Sequence, residues 1–331
     1  MICHEAAAVS SLLFLSAGDV ERVLTPHLCI EAVEDAFRQL AQGSVPAPGI
    51  LGLHAGEGSF HVKAGLLNAD RPYFAAKVNA NFPGNPRHGL PTIQGVVYLC
   101  DASNGAPLAV MDSASITALR TAAASAVAAK HLARKQCGTM LLCGCGAQAL
   151  AQLQALLAVR KPEQVLVYDQ DAARAETFAR DARVAVTVAK ELPAAVRSSD
   201  LIVTCTTARR FFIARDMVRP GTFIAAVGAD NEEKQEIDPQ LLAAAKVVTD
   251  LTGQAAAIGD LHHAIVAKLM KADDVHAELG EVVAGRKPGR ERDDEIIVFD
   301  STGTGLQDVA AAIAAYRGAI EMKAGQALAL A

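Results

Sequence analysis

The sequence predicts an α/β protein in which a doubly wound parallel sheet is joined to a second domain of α+β type. After Gly138, continuous apolar runs of strand length alternate with helical segments, a pattern typical of a parallel sheet covered on both faces. Before that point, over residues 44–112, short β-like runs alternate with Gly, Pro and Asn turns, which indicates an antiparallel or mixed sheet. The length of 331 residues also favours two domains.

The first region is predicted to combine two helices with a sheet. A helix is expected over residues 19–42, because Asp19 can cap it, apolar residues recur at helical spacing and Gly43 ends it. An Ala-rich helix is expected over Ser113–Lys135. The predicted strands between these helices are Gly49–His54, Ser59–Ala64, Tyr73–Ala80, Gly95–Asp101 and Leu108–Asp112.

The second region is predicted to alternate strands and helices up to a long Ala-rich helix at the end of the chain. The predicted strands are Thr139–Cys143, Val165–Tyr168, Val184–Val188, Leu201–Cys205, Phe223–Val227, Lys246–Thr249 and Ile296–Asp300. The predicted helices are Ala147–Val159, Ala172–Arg180, Glu191–Arg197 and Leu306–Leu330.

The composition excludes several classes of protein. Hydrophobic residues make up 51 % of the chain and charged residues 20 %, so the chain has enough apolar surface to bury and is not disordered. The formal net charge of −5 argues against a nucleic-acid partner, which needs a basic face. It leaves small anionic metabolites open, because a few local cations suffice to bind them.

The sequence predicts a cytoplasmic protein without a membrane span or a metal site. Its seven cysteines include no C-x-x-C pair, and Cys143 and Cys145 lack a second ligand cluster. The apolar run over residues 9–15 lacks the cationic segment of a signal peptide. No run approaches the roughly 18 apolar residues of a membrane-spanning helix.

A glycine-rich loop carries the strongest local motif. The segment from Gly144 to Ala149, which reads GCGAQA, follows a strand and opens a helix, as in the G-x-G-x-x-A fingerprint of Rossmann-type domains that bind dinucleotides. Gly144 permits the tight turn, and Gly146 lets the backbone approach a pyrophosphate. The N-terminus of the following helix then favours the phosphate charge.

A carboxylate at the end of the next strand predicts NAD as the cofactor. Asp169 lies 25 residues after Gly144, near the spacing of about 20 expected for the acid that binds the ribose hydroxyls. Such an acid accepts hydrogen bonds from both hydroxyls and repels a 2′-phosphate, which favours NAD over NADP. Arg174, five residues further on, could still tolerate a phosphate, so NADP remains an alternative.

Together with the preceding segment Ser115–Ser125, which reads SITALRTAAAS, this loop resembles the ornithine cyclodeaminase/mu-crystallin family. The resemblance extends in chain order from about residue 75 to 310. The further matching segments are AKVN at 76–79, FPGNP at 82–86, GLPT at 89–92, AVGAD at 226–230 and FDSTG at 299–303.

The resemblance implies a homodimer that interconverts amino acids and imines with NAD(P). It implies a substrate and dimerisation domain made of residues 1–121 plus 308–331, and a Rossmann domain over residues 122–307. Activities known in the family are cyclisation of ornithine to proline, dehydrogenation of alanine, and reduction of cyclic ketimines such as Δ1-pyrroline-2-carboxylate.

The resemblance also implies which residues bind the substrate. Lys77 and Arg120 match the family's carboxylate-binding cations, and Arg can grip a carboxylate through two hydrogen bonds. Without the resemblance, either side chain could equally face solvent. Lys63 is expected either to add a third cation near the carboxylate or to lie in water outside the site.

Asp230 is the predicted catalytic acid, alongside Lys77. It follows the strand Phe223–Val227 and therefore lies at the carboxyl end of a parallel strand, where ligands bind in doubly wound folds. In the resembling enzymes the matching Asp contacts the reacting nitrogen, where it could stabilise an iminium or exchange its proton. Lys234 matches the cyclodeaminase pattern as well, or is a solvated loop charge.

Cofactor contacts are expected from loops at the ends of strands. Thr92 matches a family threonine at the boundary between cofactor and substrate. Ser301 and Thr302 would face the nicotinamide, with Thr302 also near the substrate, or would cap the helix that starts at Leu306. The predicted cofactor-binding residues are Thr92, Arg120, Gly144, Gly146, Ala147, Gln148, Asp169, Thr204, Thr206, Val227, Gly228, Ala229 and Ser301.

The sequence departs from the cyclodeaminase pattern where the family holds ornithine. The family's Pro-Pro-Arg-like segment here reads VPAPG over residues 45–49, without Arg, and the following glutamate position is assigned to Val62. A dibasic substrate needs an acceptor for its second ammonium, because an unpaired charge in a closed site is costly.

We therefore expect reduction of a small cyclic ketimine acid, with Δ1-pyrroline-2-carboxylate to L-proline as the first hypothesis. Lys77 and Arg120 would hold the carboxylate, while Asp230 or a water molecule that it holds keeps the nitrogen protonated. Ornithine cyclodeamination with bound NAD, and dehydrogenation of alanine or another small amino acid, are the alternatives. A binding protein without activity, like some mu-crystallin relatives, is a further alternative against which these three retained residues argue.

Overall fold

The computed structural model describes residues 11–330. Residues 1–10 and 331 lie outside this range, and with them the start of the apolar run over 9–15 and the outer ends of the predicted segments 1–121 and 308–331. Within the described range, none of the helices has both the length and the apolar character needed to cross a membrane. The cytoplasmic location stays a prediction.

The first region contains every strand that the sequence predicts for it. Its elements are β1 (Ser11–Leu15), α1 (Ala17–Val23), α2 (Pro26–Ala41), β2 (Gly49–Ala55), β3 (Gly58–Asn68), β4 (Pro72–Asn81), β5 (Ile93–Asp101), β6 (Pro107–Asp112) and α3 (Ser113–Leu132). A short 3-10 helix over Asn85–His88 lies between β4 and β5.

The second region alternates strands and helices. Its elements are β7 (Thr139–Cys143), α4 (Ala149–Val159), β8 (Gln164–Tyr168), α5 (Ala172–Asp181), β9 (Thr187–Val188), α6 (Leu192–Ser198), β10 (Leu201–Thr204), β11 (Arg209–Ile213), β12 (Phe223–Ala226), β13 (Gln235–Ile237), α7 (Pro239–Ala244), β14 (Lys246–Thr249), α8 (Thr252–Ile258), α9 (Asp260–Val266), β15 (Ala277–Glu278), α10 (Leu279–Val283), β16 (Ile297–Asp300), α11 (Gly305–Met322) and β17 (Gln326–Ala329).

The helix predicted over residues 19–42 is two helices. α1 begins after Ser16, whose hydroxyl accepts a hydrogen bond from the Asp19 backbone N–H in a capping box. α2 begins after Thr25, which caps it in the same way, and has Pro26 at its first position. Proline lacks a backbone N–H and cannot continue a helix that started earlier, although its fixed φ suits a first turn.

A seven-stranded mixed sheet forms the first layer. Its strand order is β17-β1-β6-β5-β4-β3-β2, with β2 to β6 antiparallel and β1 parallel to β6. α3 and α11 cover one face of this sheet. Successive side chains of a strand point to opposite faces, so buried Tyr73, Ala75 and Lys77 of β4 face the helices.

The second sheet is the predicted doubly wound parallel sheet. Its order is β15-β14-β16-β12-β10-β7-β8-β9, and all its strand pairs are parallel. Its central strands are buried except for Thr139 at the start of β7, because helices cover both faces. The predicted α/β fold class is therefore confirmed.

Helix α3 joins the two layers. It packs against α2 and α11 on the side of the mixed sheet and against α4 and β12 on the side of the parallel sheet. The predicted domain boundaries, 121/122 and 307/308, fall inside α3 and α11, so both helices run through them. The division into domains at these residues remains a prediction.

The helix predicted over Leu306–Leu330 ends early, and its last part is a strand. α11 stops at Met322, where Lys323 adopts a left-handed conformation, and Gly325 follows with a φ of +84°. This turn reverses the chain, so that β17 pairs antiparallel with β1. Ala-rich helical periodicity does not reveal this turn, because the partner strand lies at the other end of the sequence.

Replacing Gly325 by Ala is expected to destabilise the protein. A Cβ there would lie 2.4 Å from Leu15 Cδ2 and 2.7 Å from the Phe14 carbonyl oxygen, on a backbone that disfavours side chains. We expect the free energy of unfolding to fall by about 1–3 kcal/mol, measured by urea denaturation. Gly18→Ala is the control, because Gly18 lies in α1 with open space around it. Equal effects of both substitutions would contradict this account.

Candidate active site

A deep cleft lies along the carboxyl ends of the parallel strands. Its volume is about 550 Å³. The loops that follow β7, β8, β10, β12 and β16 line it, and α3 closes one end with Thr117, Arg120 and Thr121. This is the edge of a doubly wound sheet where ligands bind.

The glycine-rich loop between β7 and α4 has the conformation that the sequence predicts. Gly144 has a φ of +100°, and a Cβ there would lie 2.8 Å from Thr206 Cγ2 and 2.9 Å from the Cys205 carbonyl oxygen. Only glycine fits between these neighbours. A Cβ on Gly146 would meet nothing within 4 Å, so the backbone is open to a ligand at this point.

Asp169 is tied to this loop by its own hydrogen bonds. The Cys145 backbone N–H donates to Asp169 Oδ2 over 2.8 Å, and the Asp171 N–H donates to Oδ1 over 2.9 Å. Each oxygen retains a lone pair for a hydroxyl donor on the cleft side. The predicted ribose-binding acid therefore also orients the glycine loop.

Two buried polar atoms on the cleft wall have no partner among the described residues. They are Gln148 Oε1, at the start of α4, and Ser301 Oγ, directly after β16. Buried polar atoms are normally hydrogen-bonded, so these two indicate a polar ligand. Together with the room at Gly146, they fit a dinucleotide that extends across the sheet edge.

A buried ion cluster lies at the end of the cleft closed by α3. Asp308 Oδ1, in the first turn of α11, accepts hydrogen bonds from Lys77 Nζ over 2.8 Å and from Arg120 Nε over 2.9 Å. Arg120 Nη1 also donates to Gln307 Oε1 over 2.8 Å. The three charged side chains are at most 6 % exposed.

These contacts hold two of the three nitrogens of the Arg120 guanidinium and leave Nη2 available. Nε and Nη1 are bound by α11, whereas Nη2 makes no hydrogen bond within residues 11–330. Arg120 lines the cleft, beside Gly303. A guanidinium offers five N–H donors, two of them on Nη2, so Nη2 can receive an anion.

The charges in this cluster shift one another's pKa values. Burial, together with the neighbouring charge of Arg120, lowers the pKa of Lys77 to about 7. Burial alone would raise the pKa of Asp308, but the charges of Lys77 and Arg120 outweigh it and hold that pKa below its ordinary value. Asp308 is therefore ionised, whereas Lys77 loses its charge near neutral pH.

Lys63 adjoins the cluster from β3, next to Lys77 in the sheet. Its Nζ donates to the carbonyl oxygens of Thr302 over 3.2 Å and of Gly303 over 2.6 Å. Burial and the charge of Arg120 lower the pKa of Lys63. Lys63 thus faces the site rather than solvent, and it holds the loop after β16.

Asp230 lies at the cleft wall in the loop after β12. Lys234 Nζ donates to its Oδ1 over 2.7 Å, and the Asp230 side chain is 52 % exposed. The Lys234 carbonyl oxygen is in turn bound to His263 Nε2 over 2.8 Å. Lys234, left open by the sequence, is therefore the ion-pair partner of the predicted acid.

The structure brings most of the predicted site residues to the cleft. Those that line it are Arg120, Gly144, Gly146, Ala147, Gln148, Asp169, Thr206, Val227, Gly228, Asp230, Ser301 and Thr302. Those that do not line it are Lys63, Lys77, Thr92, Thr204 and Ala229. Thr92 directly precedes the lining residue Ile93, and Ala229 lies between two lining residues.

Three of the predicted contacts need correction, because the side chains already have partners. The fully buried Thr204 donates its hydroxyl to Glu236 and does not reach the cleft. The Thr302 hydroxyl donates to Asp250 over 2.9 Å and accepts from Gln254 over 2.8 Å. The ammonium of Lys77 donates to Asp308 over 2.8 Å and to Thr117 Oγ1 over 3.1 Å, so one of its three N–H donors remains for a substrate carboxylate.

The assignment of the family's glutamate position to Val62 is also corrected. Val62 pairs with Leu51 and Val78 and points to the sheet face opposite that of Lys63. The residues of β3 that face the site are His61, Lys63 and Gly65, none of which is acidic. The strand therefore offers no carboxylate to a second substrate ammonium at either position.

Sequence reasoning missed three buried acids. Asp308 stands in the apolar start of α11, where a charged residue between Leu306 and Val309 needs a partner. Asp250 directly follows β14, at the carboxyl edge of the parallel sheet where Asp230 also lies. Glu236 lies in a sequence segment rich in charged residues, which suggests an exposed loop, although it is fully buried.

Comparisons with known proteins agree with this architecture. The model of the ornithine cyclodeaminase/mu-crystallin family matches residues 11–323. An archaeal alanine dehydrogenase dimer with bound NAD is 37 % identical, with a TM-score of 0.92 over 97 % of this chain and 100 % of that chain.

Two further similar structures are of enzymes that are named for other substrates. The Δ1-pyrroline-2-carboxylate reductase of Thermococcus litoralis, in complex with NADH and L-proline, is 34 % identical, with a TM-score of 0.89 over 95 % of this chain and 99 % of that chain. The iminosuccinate reductase of Paracoccus denitrificans, in complex with NAD+, is 32 % identical, with a TM-score of 0.90 over 97 % of this chain and 100 % of that chain.

These relatives are oxidoreductases with a nicotinamide cofactor, in agreement with the enzyme class and the NAD cofactor that the sequence predicts. They differ in the carbon skeleton of the substrate. The match over nearly the whole chain confirms the resemblance first seen in the short motifs. The chain belongs to the ornithine cyclodeaminase/mu-crystallin family.

Proposed function

We propose that the protein reduces a small cyclic ketimine acid with NAD(P)H, and that Δ1-pyrroline-2-carboxylate, reduced to L-proline, is its substrate. The observation that carries the proposal is the half-free guanidinium of Arg120. It is anchored by Asp308 and Gln307 and turned towards the end of a cleft that fits a dinucleotide. A substrate carboxylate bound there would lie beside the nicotinamide end of the cofactor.

The charge of the ion cluster suits a single carboxylate. Lys63, Lys77 and Arg120 supply three cations against the one carboxylate of Asp308, and Lys77 is only partly charged near neutral pH. The excess of between one and two positive charges is balanced by one anionic group. In this proposal Arg120 binds the carboxylate directly, and the two lysines strengthen the local positive potential.

The same cluster disfavours a diamine such as ornithine. Asp308 is already paired with two cations, and Asp230 is paired with Lys234. A second ammonium in the site would have to compete with one of these cations, and breaking the buried Asp308 pairs is costly. Cyclodeamination is thus the less favoured alternative.

Proton transfer is assigned to Asp230. The reaction adds a hydride to C2 of the imine and a proton to its nitrogen, so that one imine, one NAD(P)H and one proton give L-proline and NAD(P)+. When bound, the reduced nicotinamide supplies the hydride. Asp230, directly or through a water molecule, keeps the nitrogen protonated, and Lys234 holds the Asp230 carboxylate in place.

Dehydrogenation of alanine is the second candidate, supported by the similarity to an alanine dehydrogenase. It needs the same carboxylate-binding guanidinium and the same acid at the nitrogen. The difference is whether the imine is closed into a ring. A cleft that accepts either skeleton would show both activities in one assay.

We also propose a homodimer that forms through the uncovered face of the seven-stranded sheet. Large apolar side chains point outward from this face and are between 39 % and 56 % exposed. Exposed apolar patches of this kind mark interaction surfaces, and the similar alanine dehydrogenase is a dimer. The exposed residues are Phe14, Leu51, Leu53, Phe60, Val78, Val96 and Leu328.

The first prediction concerns the reaction. Purified protein is expected to oxidise NADH or NADPH in the presence of Δ1-pyrroline-2-carboxylate, with one L-proline formed per nucleotide. Asp230→Asn should lower kcat/KM by about 100-fold or more, because an amide carries no negative charge to stabilise the protonated imine nitrogen and does not exchange its proton. Glu232→Gln, an exposed neighbour in the same loop, is the control.

Other outcomes of this assay would point to the alternatives. Turnover of alanine without turnover of the imine would establish the second candidate. Ammonia release from ornithine without accumulation of NADH would establish the cyclodeaminase. Full activity of Asp230→Asn would remove this residue from the mechanism.

The second prediction concerns pH. The pKa of Lys77 is lowered to about 7, so Lys77 is charged below that pH and neutral above it. A pyrrole-2-carboxylate inhibitor, whose own charge is constant between about pH 6 and 9, should therefore bind about tenfold more weakly at the upper end. Lys77→Arg keeps its charge throughout and should flatten this dependence. A flat profile in the unmodified protein would contradict the role of Lys77.

The third prediction concerns cofactor choice. Asp169→Ser removes the carboxylate that repels a 2′-phosphate. The ratio of the dissociation constant for NADPH to that for NADH should therefore fall by about tenfold or more. Fluorescence titration with both nucleotides measures the ratio. Asp181→Ser, an exposed acid at the end of α5, is the control. An unchanged ratio would defeat the argument from the ribose hydroxyls.

The fourth prediction concerns assembly. Val78→Glu places a charge in the middle of the exposed sheet face, so a dimer formed through this face should dissociate. Light scattering after size-exclusion chromatography should then give half the mass of the unmodified protein. Val266→Glu changes an exposed valine on α9 and should leave the mass unchanged. Dimers in both variants would place the interface elsewhere.

A further inference from the structure

The order of the parallel strands divides the cleft into two halves. Strand β7, which carries the glycine-rich loop, lies between β8 on one side and β10, β12 and β16 on the other. Asp169, at the end of β8, marks the side of the adenine ribose. A dinucleotide centred on the loop after β7 must therefore place its nicotinamide half over the loops that follow β10, β12 and β16.

The carboxylate of one buried residue, Glu236, connects two of these loops. Glu236 Oε1 accepts hydrogen bonds from the backbone N–H and the hydroxyl of Thr206, each over 2.7 Å. Its Oε2 accepts from the Thr204 hydroxyl and from the Gly228 backbone N–H, also each over 2.7 Å. Thr204 ends β10 and Thr206 lies in the loop after it, whereas Gly228 lies in the loop after β12.

The packing around this carboxylate leaves no room for adjustment. Glu236 is fully buried, and a Cβ added to Gly228 would lie 2.4 Å from Glu236 Cδ and 2.4 Å from the Thr206 carbonyl oxygen. Burial raises the pKa of Glu236, although its four donors oppose the rise. Two of these donors are backbone N–H groups that cannot accept a proton in return.

Glu236 is itself fixed by the next loop. The backbone N–H groups of Glu236 and Ile237 donate to Asp260 Oδ1 over 2.8 and 2.9 Å. The N–H groups of Asp260 and Leu261 donate in turn to Asp300, which directly precedes Ser301 on the cleft wall. One chain of hydrogen bonds therefore joins the loops after β10, β12 and β16.

We propose that Glu236 is a positioning residue for the nicotinamide half of the cofactor site, acting through Thr206 and Gly228. Glu236 does not line the cleft, so it acts through these loops and not by contact with the ligand. The proposal rests on binding of the dinucleotide and not on the identity of the imine. Its test therefore uses binding alone and is independent of any substrate assay.

The test compares NADH with ADP-ribose, which lacks the nicotinamide. Glu236→Gln replaces one acceptor oxygen by an N–H group that opposes a backbone donor. We expect the dissociation constant for NADH to rise at least about tenfold while that for ADP-ribose changes less than about twofold, measured by isothermal titration calorimetry. If the substitution instead loosened the whole domain, the binding of NADH and of ADP-ribose would weaken by the same factor.

A second variant keeps the test decisive where Glu236→Gln fails to fold. Thr204→Val removes one of the four hydrogen bonds at a side chain that is fully buried and does not line the cleft. It should raise the dissociation constant for NADH by a smaller factor than Glu236→Gln does, and leave the dissociation constant for ADP-ribose unchanged. Glu233→Gln alters an exposed glutamate of the preceding loop and should change neither affinity.

Two results would overturn the proposal. The first is equal weakening of NADH and ADP-ribose by Glu236→Gln or by Thr204→Val, which would assign Glu236 to general stability. The second is unchanged NADH affinity in a folded Glu236→Gln or Thr204→Val variant. Activity that fails only with the imine would instead count against the proposed substrate and leave the role of Glu236 intact.

Discussion

The carboxylate of Asp308 is the contact on which the substrate end of the site depends. Through one oxygen it holds Lys77 of β4 and Arg120 of α3, side chains 231 and 188 residues away in the sequence. Without it, two buried cations would face each other; without them, Asp308 would be a buried, unpaired charge, and either state is strongly unfavourable. The position of α11 against the first sheet therefore balances these charges.

The cofactor end of the cleft follows the same rule, with backbone N–H groups in place of cations. Glu236 and Asp300 each accept N–H donors from loops that a parallel sheet leaves unpaired at its carboxyl edge. Asp250 does so for Gly303 and for the hydroxyl of Thr302. Burial raises the pKa values of Glu236 and Asp250, so holding the loops in place carries an electrostatic cost. The shape of the cofactor site is therefore maintained by charged side chains that do not line the cleft.

Features that depend on residues close together in the sequence can be predicted from it, whereas contacts between residues far apart in the sequence cannot. The loop at Gly144, the acid at Asp169 and the order of strands and helices depend on neighbours in the chain, and each is predicted correctly at the level of fold. The break before Pro26 and the turn at Gly325 were overlooked because helical periodicity continues across them. The partners of Lys77 and Thr204 could not be predicted, because Asp308 and Glu236 reach them only after the chain has folded.

The proposed reaction depends on one contact, between a substrate carboxylate and Nη2 of an Arg120 guanidinium whose Nε is held by Asp308. A crystal structure of the protein with NAD+ and L-proline tests it most directly. We predict a carboxylate oxygen of L-proline within hydrogen-bond distance of Arg120 Nη2, with both ion pairs of Asp308 intact. A carboxylate bound away from Arg120, or one that displaces Asp308 from Lys77 and Arg120, would contradict the claim.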